Sequence, residues 1–229
     1  MLKPKKKITK KDLKEDTLVS TYFKTTEFFY QNKRYVSWGV TGLVVLVIAA
    51  VIYFNNRGAN DEKATTALGE ILRYYDKGEY QTAINGVPEK NVVGLKEIVD
   101  NYGGTHSGDL AKFFLGNSYY SLGNYDEALK CFDDFDGSYS PLRASAVAGA
   151  ASCYEAKGDH KKAAEYFERA ASKTGDIQLS PEYLHNAARD YTLSGKKERA
   201  VELLKKLKKE YPSSPYARDA DRMLAELAG

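Results

Sequence analysis

The side chains best able to do chemistry in this chain of 229 residues are three histidines, two cysteines and a few paired carboxylates. His106, His160 and His185 could act as general bases or metal ligands, since imidazole exchanges a proton near neutral pH. None has a second ligand at metal spacing, because no HExxH or CxxC occurs. Cys131 and Cys153 are too few for a disulfide framework or a four-ligand zinc site. They fall on neighbouring expected helices, where buried thiols are the expectation and a cross-helix bridge is the alternative. Asp133-Asp134 falls on an expected helix surface, where water solvates both carboxylates. A nucleophilic serine would need a Gly-x-Ser-x-Gly elbow between strand and helix, which is absent. The run Gly103-Gly104-Thr105-His106-Ser107-Gly108 lacks the Lys-Ser or Lys-Thr and the preceding strand of a phosphate loop, and it reads as a connection and helix cap. No catalytic constellation results. We expect no enzyme, no cofactor, no metal and no small-molecule substrate.

The elements around these residues divide the chain by composition. Tyr35 to Phe54 is uncharged and almost wholly apolar; at ~1.5 Å per residue it spans ~30 Å as a helix, the thickness of a bilayer core. Tyr35 and Trp38 sit at one end and Tyr53 and Phe54 at the other, where amphipathic rings settle at headgroups, with Lys33, Arg34 and Arg57 just outside. A cleaved signal peptide has a shorter leader and ends in small residues, so a retained single-span anchor is expected. The 35 residues up to Tyr35 hold 10 Lys or Arg against 4 Asp or Glu, and the remainder 24 against 27. The basic head is therefore expected on the cytoplasmic side, with runs such as Lys5-Lys6-Lys7 able to touch anionic lipid. Gly39 and Gly42 are three apart, which is not the spacing of a GxxxG pairing face. The mildly acidic tail argues against nucleic acid. The chain thus divides into four segments: a head over 1–34, a transmembrane helix over 35–54, a linker helix with a degenerate repeat over 55–108, and three tandem repeats with a capping helix over 109–229.

The repeats are visible as a fixed spacing. Tyr119, Gly123, Ala128 and Phe132 recur as Tyr154, Gly158, Ala163 and Phe167, and again as Tyr191, Gly195, Ala200 and Leu204. A weaker copy is Tyr74, Gly78, Ala83 and Val87. Glycine closes a helix end by adopting the left-handed conformation, so each copy reads as two antiparallel helices around a glycine turn. Small residues on the first helix (Gly116, Ala151, Ala188) and on the second (Ala128, Ala163, Ala200) let the two backbones approach. Val93 to Tyr102 offers one further helix. After Tyr211-Pro212, Ser214 and Pro215 look like a cap and first turn. Tyr216, Ala220, Met223, Leu224 and Leu227 then share one face of a terminal helix suited to closing a solenoid.

This spacing over about residues 109 to 212 resembles the tetratricopeptide repeat. The resemblance implies an all-α solenoid of antiparallel helix pairs whose first helices line a face that binds other proteins. Departures are Lys112 where a bulky apolar residue belongs, and His160 and Lys197 where an aromatic belongs. Carried over residue by residue, the repeat motif implies a groove of Phe113, Asn117 and Tyr120, then Ala148, Ser152 and Glu155, then His185, Arg189 and Thr192. The clamp of repeats that grip acidic chaperone tails has a lysine where this chain has Phe113. The order of parts, with Phe28-Phe29-Tyr-Gln-Asn32-Lys33 directly before the span, resembles the ancillary SecYEG translocon subunit family, also called YfgM-like. That resemblance implies a bacterial inner-membrane protein with periplasmic repeats, assisting export or passing translocated chains to chaperones. Its implied partners are SecYEG, a PpiD-type prolyl isomerase and translocating polypeptides. Glu210 to Ala217 also resembles the link between repeats of outer-membrane and Tol-Pal associated proteins, implying an envelope-assembly or cell-division scaffold. An organelle-surface import receptor with cytosolic repeats is the remaining alternative.

Overall fold

The computed structural model describes residues 10–135, 137, 140–174 and 179–228, so the Lys5-Lys6-Lys7 run lies outside them. Four glycine turns set the architecture. Gly78, Gly123, Gly158 and Gly195 all have φ between +77° and +79°. At each, the glycine N–H donates to the carbonyl three residues back and the next N–H donates to the tyrosine carbonyl five residues back. Gly123 N bonds Tyr120 O and Asn124 N bonds Tyr119 O, both at 2.9 Å, and the same pair recurs at Gly78, Gly158 and Gly195. These are the bonds that satisfy orphaned carbonyls at a helix end, and they need a residue free to take positive φ.

The chain divides into two compact units, Met1–Asn56 and Arg57–Gly229. In the first, α1 (Lys10–Gln31) is followed by α2 (Lys33–Tyr75), whose last turns belong to the second unit. The remaining helices are α3 (Tyr80–Asn85), α4 (Leu95–Tyr102), α5 (His106–Ser121), α6 (Tyr125–Asp133), α7 (Ser140–Ala156), α8 (His160–Thr174), α9 (Leu179–Leu193), α10 (Lys197–Glu210) and α11 (Pro215–Ala228). The pairs α5/α6, α7/α8 and α9/α10 are the three expected repeats, and α11 packs against the last.

The degenerate copy departs from expectation beyond its glycine. Its second helix stops at Asn85, because Gly86 turns to φ +80° and Pro88 cannot continue a helix. Val87 instead lies in β1 (Gly86–Val87), which pairs antiparallel with β2 (Val92–Val93). Among the described residues the fold is therefore helical with one very short hairpin. The helix expected from Val93 begins at Leu95. The glycine-rich run is a cap, as its composition suggests: Thr105 precedes α5 and its hydroxyl accepts from Gly108 N at 3.0 Å.

Packing follows the small-large pattern. Ile71, Leu95 and Ile98 are fully buried where α2, α4 and α5 meet, each contributing ~1.5–3 kcal/mol. Phe132 lies between glycines on both sides: a Cβ on Gly116 or Gly149 would come within 2.8 or 2.7 Å of its ring. Phe167 and Leu204 occupy the equivalent core sites, beside Ala151, Ala188 and Ala200. Tyr154 departs from its counterparts and meets Tyr166 in a tilted pair, with ring centroids 5.0 Å apart. Val147 and Leu184 are buried as expected, while Lys112, replacing the first bulky residue, donates to the carbonyl of Asp134 at 3.1 Å. At the end of the chain Ser214 Oγ accepts from Tyr216 N at 3.3 Å, and Tyr216, Ala220, Met223, Leu224 and Leu227 all pack on the core.

Candidate protein-binding groove

The first helices of the three repeats, α5, α7 and α9, carry the nine candidate groove residues, which differ in their freedom to meet a partner. Tyr120 is exposed, with its ring 5.6 Å from that of Tyr125. Its phenol is held above the ordinary value by burial first, and then by Cys153, Tyr125 and the carboxylate of Glu155. Glu155 in turn accepts from Arg189 at 2.6 Å, an ion pair joining α7 to α9. Thr192, one turn after Arg189, is half-buried, and its hydroxyl donates back to the Ala188 carbonyl at 2.9 Å. Tyr120, Glu155, Arg189 and Thr192 thus form one row across three repeats.

The other five candidates serve packing more than display. Phe113 is half-buried within an aromatic group, its ring centroid about 6 Å from those of Phe114, Phe132 and Phe135. Asn117 is half-buried beside Tyr75 at the end of α2, whose phenol is held above its ordinary value by burial first, with Asn117 opposing the shift. Ala148 is buried, and Ser152 donates to its carbonyl at 3.1 Å. His185 meets Asp219 of α11 at 2.5 Å and lies 5.3 Å from the Tyr216 ring. Asp219 is held below the usual carboxylate range, by Arg222 first and then by His185.

Two features escape a reading of the sequence. Leu193 is 59% exposed at the end of α9, next to Thr192, and is concealed because leucine in a helical stripe reads as core. Asp190 is fully buried, with Oδ1 2.7 Å from His160 Nδ1 of the preceding repeat and Oδ2 without a hydrogen bond. A signal for it exists: His160 stands where the motif has an aromatic, and that substitution is what gives the buried carboxylate a partner. Cys131 and Cys153 are free thiols, pushed up to about 11 and about 12 by burial before any other influence. Such thiols are poor nucleophiles. No group of His, Cys, Asp and Glu suited to a metal ion occurs among the described residues.

Comparison with known proteins finds repeats within this part of the chain. Two tetratricopeptide-repeat models match, over residues 115–177 and 182–214. No curated protein matches. Among solved structures, the nearly identical tetratricopeptide-like repeats of a candidate kinesin light chain from Podosopora anserina superpose with a TM-score of 0.55 at 21% identity, covering 73% of this chain and 86% of that one. A substituted form of the same repeats gives the same score and identity, with 85% of that chain covered. At that identity the likeness concerns the fold. The agreement in helix pairing, turn glycines and matched residues makes this region a solenoid of tetratricopeptide repeats, a class of module that binds other proteins.

Proposed function

From a chain whose residues 115–177 and 182–214 are tetratricopeptide repeats, we propose a membrane-anchored adaptor that offers its first-helix face to other polypeptides. The observation that carries this reading is the bareness of α2. Every residue from Ser37 to Asn60 is exposed, and its apolar window buries nothing inside the protein. A core helix of a soluble domain would be covered, whereas a helix this long and apolar matches hydrocarbon. In this reading 1–34 is a cytoplasmic head, 35–54 the span, 55–108 a linker helix with a degenerate repeat, and 109–229 the interaction domain. The row Tyr120, Glu155, Arg189 and Thr192 makes the contacts, supported by Phe113, Asn117, Ala148, Ser152 and His185.

The order of parts supports a finer assignment. The chain sits in a bacterial inner membrane with its repeats in the periplasm, beside SecYEG and a PpiD-type prolyl isomerase. There it receives emerging chains and hands them to chaperones. Photocrosslinkers at Tyr120 and Thr192 are expected to trap secretory chains during export, and mild detergent extracts to retain SecYEG or the isomerase. Protease added to spheroplasts is expected to digest the repeats. Crosslinks to Tol-Pal or outer-membrane assembly components instead would make the chain an envelope scaffold. Digestion only after the membrane is opened would reverse the topology.

A further inference from the structure

One oxygen beneath the groove is left over. Asp190 of α9 is fully buried, and its Oδ1 lies 2.7 Å from His160 Nδ1. Its Oδ2 makes no hydrogen bond, although Arg189 Nη2 is only 3.6 Å away. That nitrogen is engaged elsewhere: it donates to Glu155 Oε1 at 2.6 Å, from α9 to α7. A buried carboxylate oxygen with no donor is costly to keep. Glu155, by contrast, is 32% exposed, so water can replace a donor that it loses. The guanidinium of Arg189 is itself 40% exposed and stands between a carboxylate that holds it and a deeper one that lacks it. A shift of less than ~1 Å brings Nη2 within hydrogen-bond range of Asp190.

Charge indicates what replaces Arg189 on Glu155. Of the nine candidate groove positions only Glu155 and Arg189 carry a fixed charge. Glu182 lies on the same stripe of α9, three residues before His185 and seven before Arg189, and tips the balance to acidic. Lys157, two residues beyond Glu155, is committed to Asp126. Tyr120 adds an exposed ring, near enough to Glu155 for that carboxylate to act on its phenol. A carboxylate beside an aromatic face attracts a cation through both. We infer that the groove takes a lysine or arginine side chain of its partner onto Glu155, beside Tyr120, while Arg189 passes to Oδ2 of Asp190. The incoming cation gains a carboxylate, and the displaced one satisfies the buried oxygen. The partner is then a basic segment, opposite in charge to the acidic tails that a lysine clamp grips. This rests on the adaptor reading above and specifies its ligand.

The test uses the full chain in non-ionic detergent and short dye-labelled peptides of serine and glycine that bear either a lysine pair or a glutamate pair, read by fluorescence anisotropy. The lysine peptide is expected to bind about tenfold more tightly, as one partly desolvated ion pair predicts. Glu155→Gln is expected to erase that preference. Arg189→Gln vacates Glu155 and is expected to keep it. Asp190→Asn, checked for its fold by circular dichroism, is expected to weaken the lysine peptide several-fold although its buried side chain touches no ligand. Where that variant fails to fold, the Glu155 and Arg189 variants decide the matter. Loss of the preference in Arg189→Gln, or unchanged binding by a folded Asp190→Asn, overturns the handover. Wild-type preference in Glu155→Gln, or tighter binding of the glutamate peptide, overturns the cation site. If it is overturned while photocrosslinkers at Tyr120 still trap secretory chains, the adaptor reading stands. Loss of peptide binding and of those crosslinks together overturns both.

Discussion

The two units use the same aliphatic side chains in opposite ways. In Arg57–Gly229 the described large apolar residues are nearly all covered, with Tyr120, Leu122 and Leu193 exposed. In the first unit Val, Leu and Ile from Val40 to Ile52 stand 49% to 68% exposed. Burial in the repeats is achieved by alanines and glycines that let rings and leucines from the next helix enter, so their apolar content is matched side chain to side chain. The apolar content of α2 before Asn56 has no such counterpart among the described residues. One unit covers its hydrophobic surface with its own side chains, and the other leaves it bare, as the proposed membrane anchor requires.

Substitutions that separate the two environments should break that contrast if it is wrong. Leu204→Ala removes a fully buried side chain from the core beside α9 and is expected to cost ~2–5 kcal/mol of repeat stability. Urea denaturation followed by circular dichroism should show the loss, with membrane integration unchanged. Val47→Arg should do the reverse. A charge near the middle of a span costs ~2.5–3.5 kcal/mol on insertion, so carbonate extraction should release more protein while the repeats unfold as in wild type. Equal effects of either substitution on both measurements would mean that the units are not independent. Ala163→Phe sharpens the comparison within the repeats: Ala163 is fully buried on α8, and overpacking there should cost ~1–3 kcal/mol.

Much of the fold is legible because it repeats. Gly123, Gly158 and Gly195 mark their turns by position alone, since few other residues tolerate the required φ, and Tyr, Ala and Phe stand at fixed offsets from them. Val87 breaks the pattern because two local breakers, Gly86 and Pro88, outweigh the register that offset counting assigns. The groove is less legible. Repeat positions locate a side chain on a helix face but do not say what the next repeat places against it, and so Phe113 and His185 turn inward while Leu193 turns out. The Asp190–His160 pair spans 30 residues and depends on how one repeat stacks on the next. The helix over Lys10–Gln31 is obscured in the sequence because the head's charge masks the aromatic spacing near its end.

The smallest effect concerns the join between the last turns of α2 and the repeats. Asp61 accepts from Ser107 N at 2.8 Å, and Thr65 bonds the Ser107 hydroxyl at 2.7 Å. The Asp61 carboxyl is held below its ordinary range, chiefly by that backbone N–H; burial opposes the shift, and Ser107, Thr105 and His106 add to it. Because the folded value lies below the unfolded one, the ionised group stabilises the fold above the unfolded pKa of about 3.9, and that contribution is lost as pH falls through the folded value. Asp61→Asn is therefore expected to lower stability by less than ~1 kcal/mol near neutral pH, a modest figure because the site is largely solvated. The difference in urea midpoint from wild type should hold level down to about pH 5 and close below about pH 4. If it persisted undiminished at lower pH, the shape of the side chain and not its charge would be what holds α2 against the start of α5.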